Sequence, residues 1–260
     1  MSRERLLPDL PTLSPSALDD WLRCPRLYLD RHLLRLPESD RGPTARTGNL
    51  VHDLLRLVHD RGDCHDAALR ADVLESHGQT TDGAVAGMLV RHGERCPSPR
   101  ATARGHELDV VRVARNGPVW IGTGRLDAVW EYDDLLDVRD YKTGRVVATD
   151  LAEDPRARMQ AWLAVPLAGG RRIRVRYEHL GEDVGPDPVD LEPDAEDLER
   201  IDAELRAVVD DIRHAAAERA FVGVADADAC RTCAYRSICP DSAAPGEPVW
   251  PVPEDGPGPG

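Results

Sequence analysis

Hydrophobic positions recur with two different periods along this chain, and the switch between them marks its organisation. Up to about residue 95 the apolar residues keep helical spacing. Ser14-Pro15 reads as an N-cap followed by proline at the first helical position. The helix after it carries Leu18, Trp21 and Leu22 on one side and bends at Pro25. Residues 1–13 read as an irregular lead-in, and 37–46 as a loop. Val51, Leu54, Leu55 and Val58 predict a second helix over 48–59. Residues 66–95 read as helical, with Gly78, Gly83 and Gly87 weakening the pattern.

From Glu107 the period becomes two. Residues 107–114, 119–132 and 135–141 read as three strands in a meander. A helix over 155–167 follows, then a strand over 172–180 with Ile173, Val175 and Tyr177 on one face. Residues 194–219 form a long amphipathic pattern carrying Leu198, Ile201, Leu205, Val208 and Ile212. A cysteine-bearing loop comes next. The Pro/Gly-rich tail, 241–260, reads as disordered. No internal repeat is visible, and the order of elements defines an α/β class.

Composition bounds the functional classes. A chain of 260 residues can build one sizeable core, and 41% hydrophobic with 31% charged residues reads as soluble and globular. No apolar run approaches the roughly 20 residues of a membrane span, and the charged start is not followed by a signal-peptide segment. A cytoplasmic location and no membrane partner are expected. The net charge of −14 argues against a nucleic-acid surface, although Arg171, Arg172, Arg174 and Arg176 leave room for a local basic face. Among 33 basic residues there is one lysine, Lys142. A GC-rich genome explains the arginine bias. A retained lysine suggests chemistry that needs a compact charge able to lose its proton.

The stretch around that lysine carries the sharpest chemistry. In Asp140-Tyr141-Lys142, alternate residues share a strand face, so Asp140 and Lys142 point the same way. With a two-residue turn at Asp133-Asp134, Tyr132 pairs with Leu135, and Asp127 lies opposite Asp140. Two carboxylates about 5 Å apart at Cβ repel unless a cation sits between them. Hard oxygen ligands suit Mg²⁺ or Mn²⁺, and the neighbouring lysine could orient a water and stabilise charge on a phosphate. A hairpin of merely solvated charges is the plain alternative.

Gly124-Arg-Leu-Asp127 followed by Asp140-Tyr-Lys142-Thr-Gly resembles the PD-(D/E)XK nuclease superfamily in its RecB-like branch. That resemblance implies a mixed central sheet flanked by helices. It also implies a metal-dependent deoxyribonuclease, with Asp127, Asp140 and Lys142 in the catalytic set. The branch carries a helical histidine upstream, which Gly48-Asn-Leu-Val-His52 matches, so His52, Asp127, Asp140 and Tyr141 are the implied Mg²⁺ or Mn²⁺ residues. It also carries a glutamine on the following helix, matched by Gln160, though the tyrosine that often follows has no clear counterpart. Glu107 lies where some members have an extra acid, but a surface glutamate at a strand start fits as well.

Six cysteines remain. The expected compartment argues against a disulfide framework. Cys230-x₂-Cys233-x₅-Cys239 is a metal-site spacing that suits zinc or a 4Fe–4S cluster equally. The pattern is similar to AddB-type and CRISPR-associated RecB-like nucleases, where one cysteine precedes the core and three follow it. That similarity implies a 4Fe–4S cluster on Cys24, Cys230, Cys233 and Cys239, joining the N- and C-terminal helical parts within one domain, 1–240. Cys64 and Cys96 have no partners at motif spacing and read as unpaired thiols. No phosphate-loop motif is present, so the expected protein is a nuclease module without its own motor. The implied substrate is DNA, single-stranded or with free ends, in repair or in CRISPR adaptation. The implied partner is a helicase or a CRISPR-adaptation protein. A non-catalytic DNA-end-binding scaffold, or a zinc-stapled protein with a decorative hairpin, would keep the same motifs.

Overall fold

The computed structural model describes residues 11–38, 42–98, 100–144, 150–181 and 189–244. Most of the expected disordered tail, and the lead-in before residue 11, lie outside the described residues. Ser14 does cap the first helix, α1 (Pro15–Arg23): its hydroxyl accepts the amide of Ala17 at 3.2 Å. Pro25, unable to continue α1, opens α2 (Pro25–Tyr28), and a π-helical turn, Leu29–Leu33, prolongs it. The segment just before α1 is not irregular: Thr12–Leu13 form a short strand, β1. The second helix, α3 (Gly42–Arg61), starts earlier than its apolar pattern, with Pro43 in the opening turn where no amide is needed. The pattern over 66–95 divides into α4 (Ala67–Ser76) and α5 (Ala84–Arg95). Gly78, at φ +68°, lies in the break between them.

The sheet is mixed. The antiparallel meander β2 (Thr102–Ala114), β3 (Trp120–Glu131) and β4 (Leu135–Lys142) forms as its period-two pattern requires. After α6 (Pro155–Ala168), β5 (Arg172–His179) returns parallel to β4. β6 (Val189–Leu191) adds antiparallel to β5. β1 lies parallel to the first half of β3, on the side where β4 takes over further along. The chain closes with α7 (Ala195–Glu218), started by an Asp194/Asp197 capping box, and the short α8 (Ala227–Arg231).

Helices cover both faces of the sheet, giving two apolar cores. One packs residues of α1, α6 and α7 against Trp120, Leu126, Val129 and Val138. The other packs residues of α3, α4 and α5 against Ala128, Trp130 and Tyr141. Helix α6 sits unusually close to β3. A Cβ at Gly122 would meet Trp162 Cζ3 at 2.4 Å, and one at Gly124 would meet Leu163 Cδ1 at 2.6 Å. Bare backbone at these positions lets Trp162 stack on Trp120 with ring centroids 4.7 Å apart. Gly122→Ala should therefore lower stability by about 1–3 kcal/mol through overpacking, read as a reduced urea midpoint.

Two other features of the packing differ from the sequence reading. Cys64 and Cys96 are not unpaired thiols but a disulfide, with Cα atoms 6.5 Å apart and a sequence separation of 32. The loop after α3 and the end of α5 bring them together, and motif spacing carries no information on such a long-range contact. The arginines after α6 do not make a free basic face either. Arg172 pairs with Asp134 and Glu192, Arg174 with Asp137, and Arg176 with Asp190.

Strand β4 is buried along nearly its whole length, yet it carries charge. Asp137, Arg139 and Glu178 are almost wholly buried. The Arg139 guanidinium donates to Asp137 at 3.1 Å, to Glu178 at 2.7 Å and to the Arg95 carbonyl at 2.9 Å. Arg174 donates to the other Asp137 oxygen at 2.9 Å, and His92 meets Glu178 at 2.8 Å. This network ties α5 to β4 and β5 and satisfies the polar groups of an otherwise apolar layer.

Candidate active site

The turn at Asp133-Asp134 has two residues, with the Tyr132 amide donating to the Leu135 carbonyl at 2.8 Å. The register that follows, Glu131 opposite Leu136 through Ala128 opposite Arg139, keeps the index sum that places Asp127 against Asp140. The ladder stops one step short of that pair. There the Asp127 carboxylate accepts the Tyr141 amide at 2.8 Å, taking the place of a backbone partner. The ladder ends at the acids, and the middle of α3 lies against them through His52.

His52 projects from α3 toward the acids. Its Nδ1 lies 3.5 Å from an oxygen of Asp127 and 3.5 Å from Glu107, and its Nε2 lies 2.9 Å from the Tyr141 carbonyl. His52, Glu107 and Asp127 can each offer a ligand atom within 4.8 Å of the others. Burial alone would disfavour the imidazolium. The two carboxylates and the carbonyl outweigh it and raise His52 to about 10. Asp127 moves the other way from most acids: burial, then the charge of Asp140, pushes its carboxyl above the ordinary value. A divalent cation is what would relieve such crowding of negative charge.

Asp140 stands beside this cluster, held by two partners. Its Oδ1 pairs with Lys142 Nζ at 2.7 Å, and its Oδ2 accepts Gln160 Nε2 at 2.8 Å. Lys142 Nζ also lies 4.1 Å from the centroid of the Tyr177 ring, which braces the ammonium from β5. The Tyr141 side chain is buried in the second core, and burial pushes its hydroxyl well above the usual phenol value. Its main-chain amide and carbonyl face the site instead, on Asp127 and His52.

Glu107 is the residue whose role the sequence left undecided. It sits within a strand yet has φ +52°. Leu108 and Val110 pack with the first core, whereas His106 stacks on His59 with centroids 4.1 Å apart on the other side. The left-handed residue is where β2 exchanges faces, and it brings the Glu107 carboxylate beside Asp127. Only the conformation shows this; glutamate at that position carries no turn signature.

Away from this cluster, Cys24, Cys230, Cys233 and Cys239 line one pocket. The Val224 amide approaches Cys24 Sγ at 3.5 Å, and Arg23 donates to Ala229 O at 2.6 Å and Thr232 Oγ1 at 2.5 Å. Tyr235 donates to Leu36 O at 3.0 Å. The α1–α2 segment and residues 224–239 therefore meet at the four cysteines.

A sequence model of the PD-(D/E)XK nuclease superfamily matches residues 12–240. This chain belongs to that superfamily, whose members are nucleases. No curated protein sequence matches it. Among solved structures it is similar to SSO0001, at 16% identity and a TM-score of 0.45 over 90% of this chain and 88% of that one. It is also similar to the "Putative exonuclease" of Eubacterium rectale, at 9% identity and a TM-score of 0.49 over 82% and 87%. Among the described residues no helix is long and apolar enough to cross a membrane.

Proposed function

We propose that this protein is a divalent-metal-dependent deoxyribonuclease of the RecB-like branch, acting as an exonuclease on single-stranded DNA ends. The observation that carries the reading is the convergence of His52, Glu107 and Asp127 beside the Asp140–Lys142 pair. Three carboxylates, an imidazole and the Tyr141 carbonyl form a donor set suited to Mg²⁺ or Mn²⁺. Such an ion, when bound, supplies Lewis-acid charge at the scissile phosphate. His52 must give up a proton to act as a ligand. Asp127 and Asp140 would hold that ion close to Lys142. Gln160 keeps the Asp140 carboxylate turned into the site. Lys142 orients the attacking water and donates to the phosphate oxygen on which charge develops.

The test is cleavage of end-labelled single-stranded DNA with Mg²⁺, with Mn²⁺ and with chelator. Asp127→Asn and Asp140→Ala should each reduce turnover more than about 100-fold with an unchanged circular dichroism spectrum. Turnover that survives chelation, or that both variants retain, would overturn the assignment. A circular substrate cut as readily as a linear one would replace exonuclease by endonuclease.

The same resemblance supports a 4Fe–4S cluster on Cys24, Cys230, Cys233 and Cys239. Among the described residues no three of these sulfurs gather within 4.8 Å of one another. Zn–S bonds of about 2.3 Å would hold four thiolates roughly 3.8 Å apart, closer than a cubane, where each thiolate sits on a separate iron. Anaerobic purification should give a brown protein with about four irons per chain. A colourless protein with zinc bound by four sulfurs would refute the cluster.

A further inference from the structure

A second group of metal-type side chains lies inside the α3–α5 core, and the nuclease reading does not use it. Cys64 and Cys96 are fully buried, and His92 is 1% exposed. His59 Nε2 and His92 Nε2 face each other at 2.8 Å. One ligand atom from each of His59, Cys64, His92 and Cys96 lies within 4.8 Å of all the others. Cys64 and Cys96 belong to the apolar shell of Val51, Leu54, Val58, Val73 and Leu89, all at 0% exposure. Burying several imidazoles in such a shell is costly unless their nitrogens are satisfied.

We propose that His59, Cys64, His92 and Cys96 bind a zinc ion when the two cysteines are reduced, the disulfide being the oxidised, zinc-free form of the same site. Two thiolates and two imidazoles are a donor set that zinc takes in closed tetrahedral sites. Bonds of roughly 2.0–2.3 Å place neighbouring donors roughly 3.3–3.8 Å apart, inside the observed spread. Cleaving the sulfur–sulfur bond lets the two sulfurs separate, and the two nitrogens need to move apart by less than about 1 Å. The supporting contacts are in place. Glu178 Oε1 holds the other nitrogen of His92, Nδ1, at 2.8 Å, which aims Nε2 at the donors. His106 stacks on His59 with an interplanar angle of 4° and braces that ring. Each half of the site pairs a histidine in the last turn of a helix with a cysteine just beyond it: His59 with Cys64 after α3, and His92 with Cys96 after α5.

The interconversion balances. A phosphine reductant with one water cleaves the disulfide, becomes the phosphine oxide and leaves two thiols. Both thiols release their protons when zinc binds. Oxidation of the bound thiolates by a peroxide removes two electrons, forms the disulfide, yields water after taking up two protons, and releases the ion. Because His52 and His59 share α3, two helical turns apart, either form anchors the helix that carries the active-site histidine.

The test uses the full-length protein, reduced with a phosphine or oxidised with peroxide, freed of excess reagent and titrated with Zn²⁺. Reduced protein should bind zinc whose X-ray absorption fits two sulfurs and two nitrogens, and the oxidised protein should lack that S₂N₂ signal. Cys64→Ser should abolish the signal and Cys24→Ser should leave it. The wild-type comparison stands even if the Cys64 variant misfolds. Zinc with four sulfurs and no S₂N₂ component, or no zinc uptake on reduction, would overturn the proposal and leave a plain structural disulfide.

Discussion

Lys142→Arg is expected to keep the positive charge and the fold while losing more than about 100-fold of turnover. Lys142 Nζ reaches Asp140 at 2.7 Å while resting over the Tyr177 ring. A planar guanidinium in that space would grip the Asp140 carboxylate with two parallel bonds and turn it away from the His52–Glu107–Asp127 cluster. It would also be unable to lose a proton. Steady-state kinetics with thermal melting check this: kcat should collapse while Tm moves by no more than a few degrees. Near-normal turnover in Lys142→Arg would mean that any cation suffices there. Lys142→Ala should be at least as inactive. In a chain that otherwise uses only arginine, the comparison asks directly why one lysine is kept.

The largest effect on stability is expected from Arg139→Met, at about 3–5 kcal/mol. Arg139 bridges Asp137 and Glu178 in the middle of the sheet, and removing it leaves two buried carboxylates with fewer donors. Burial works to raise both acids. For Asp137, Arg174 and Arg139 outweigh it; for Glu178, His92 and Arg139 do, so both are held below their ordinary values of 3.8 and 4.5. Depressed carboxylates contribute stability that is present above those ordinary values and lost as pH falls through the lowered ones. The wild type should therefore resist mild acid. Arg139→Met should begin to unfold at higher pH, in addition to its lower urea midpoint at neutrality. An unchanged midpoint and acid limb would show that Arg174 and His92 carry the network alone.

Much of this site was legible because strands obey a period of two. The Asp133-Asp134 turn set the register arithmetically, and the ladder follows it as far as Ala128 and Arg139. The helix boundary at Ser14 was readable from capping chemistry for the same local reason, and the start at Asp194 from the amphipathic pattern. What the sequence hid depends on contacts between distant segments or on a single dihedral angle. Cys64 and Cys96 are neighbours only because α3, α4 and α5 pack together. Glu107 joins the site only because its backbone is left-handed. The arginines after α6 looked like a basic surface until β6 and the Asp133-Asp134 turn supplied their acids. Even β1, two residues long, exists only because half of β3 was left unpaired.

The Tyr141 amide, denied a strand partner on β3, donates to the Asp127 carboxylate instead. If that carboxylate also holds the proposed metal ion, it cannot change one job without altering the other. When an ion draws electron density from Asp127, the Tyr141 proton is gripped less tightly; when the site empties, it is gripped again. That single amide should therefore report occupancy of the catalytic centre, through its chemical shift and its rate of exchange with deuterated solvent. The same measurement needs no substrate, so it would work in variants too inactive to assay.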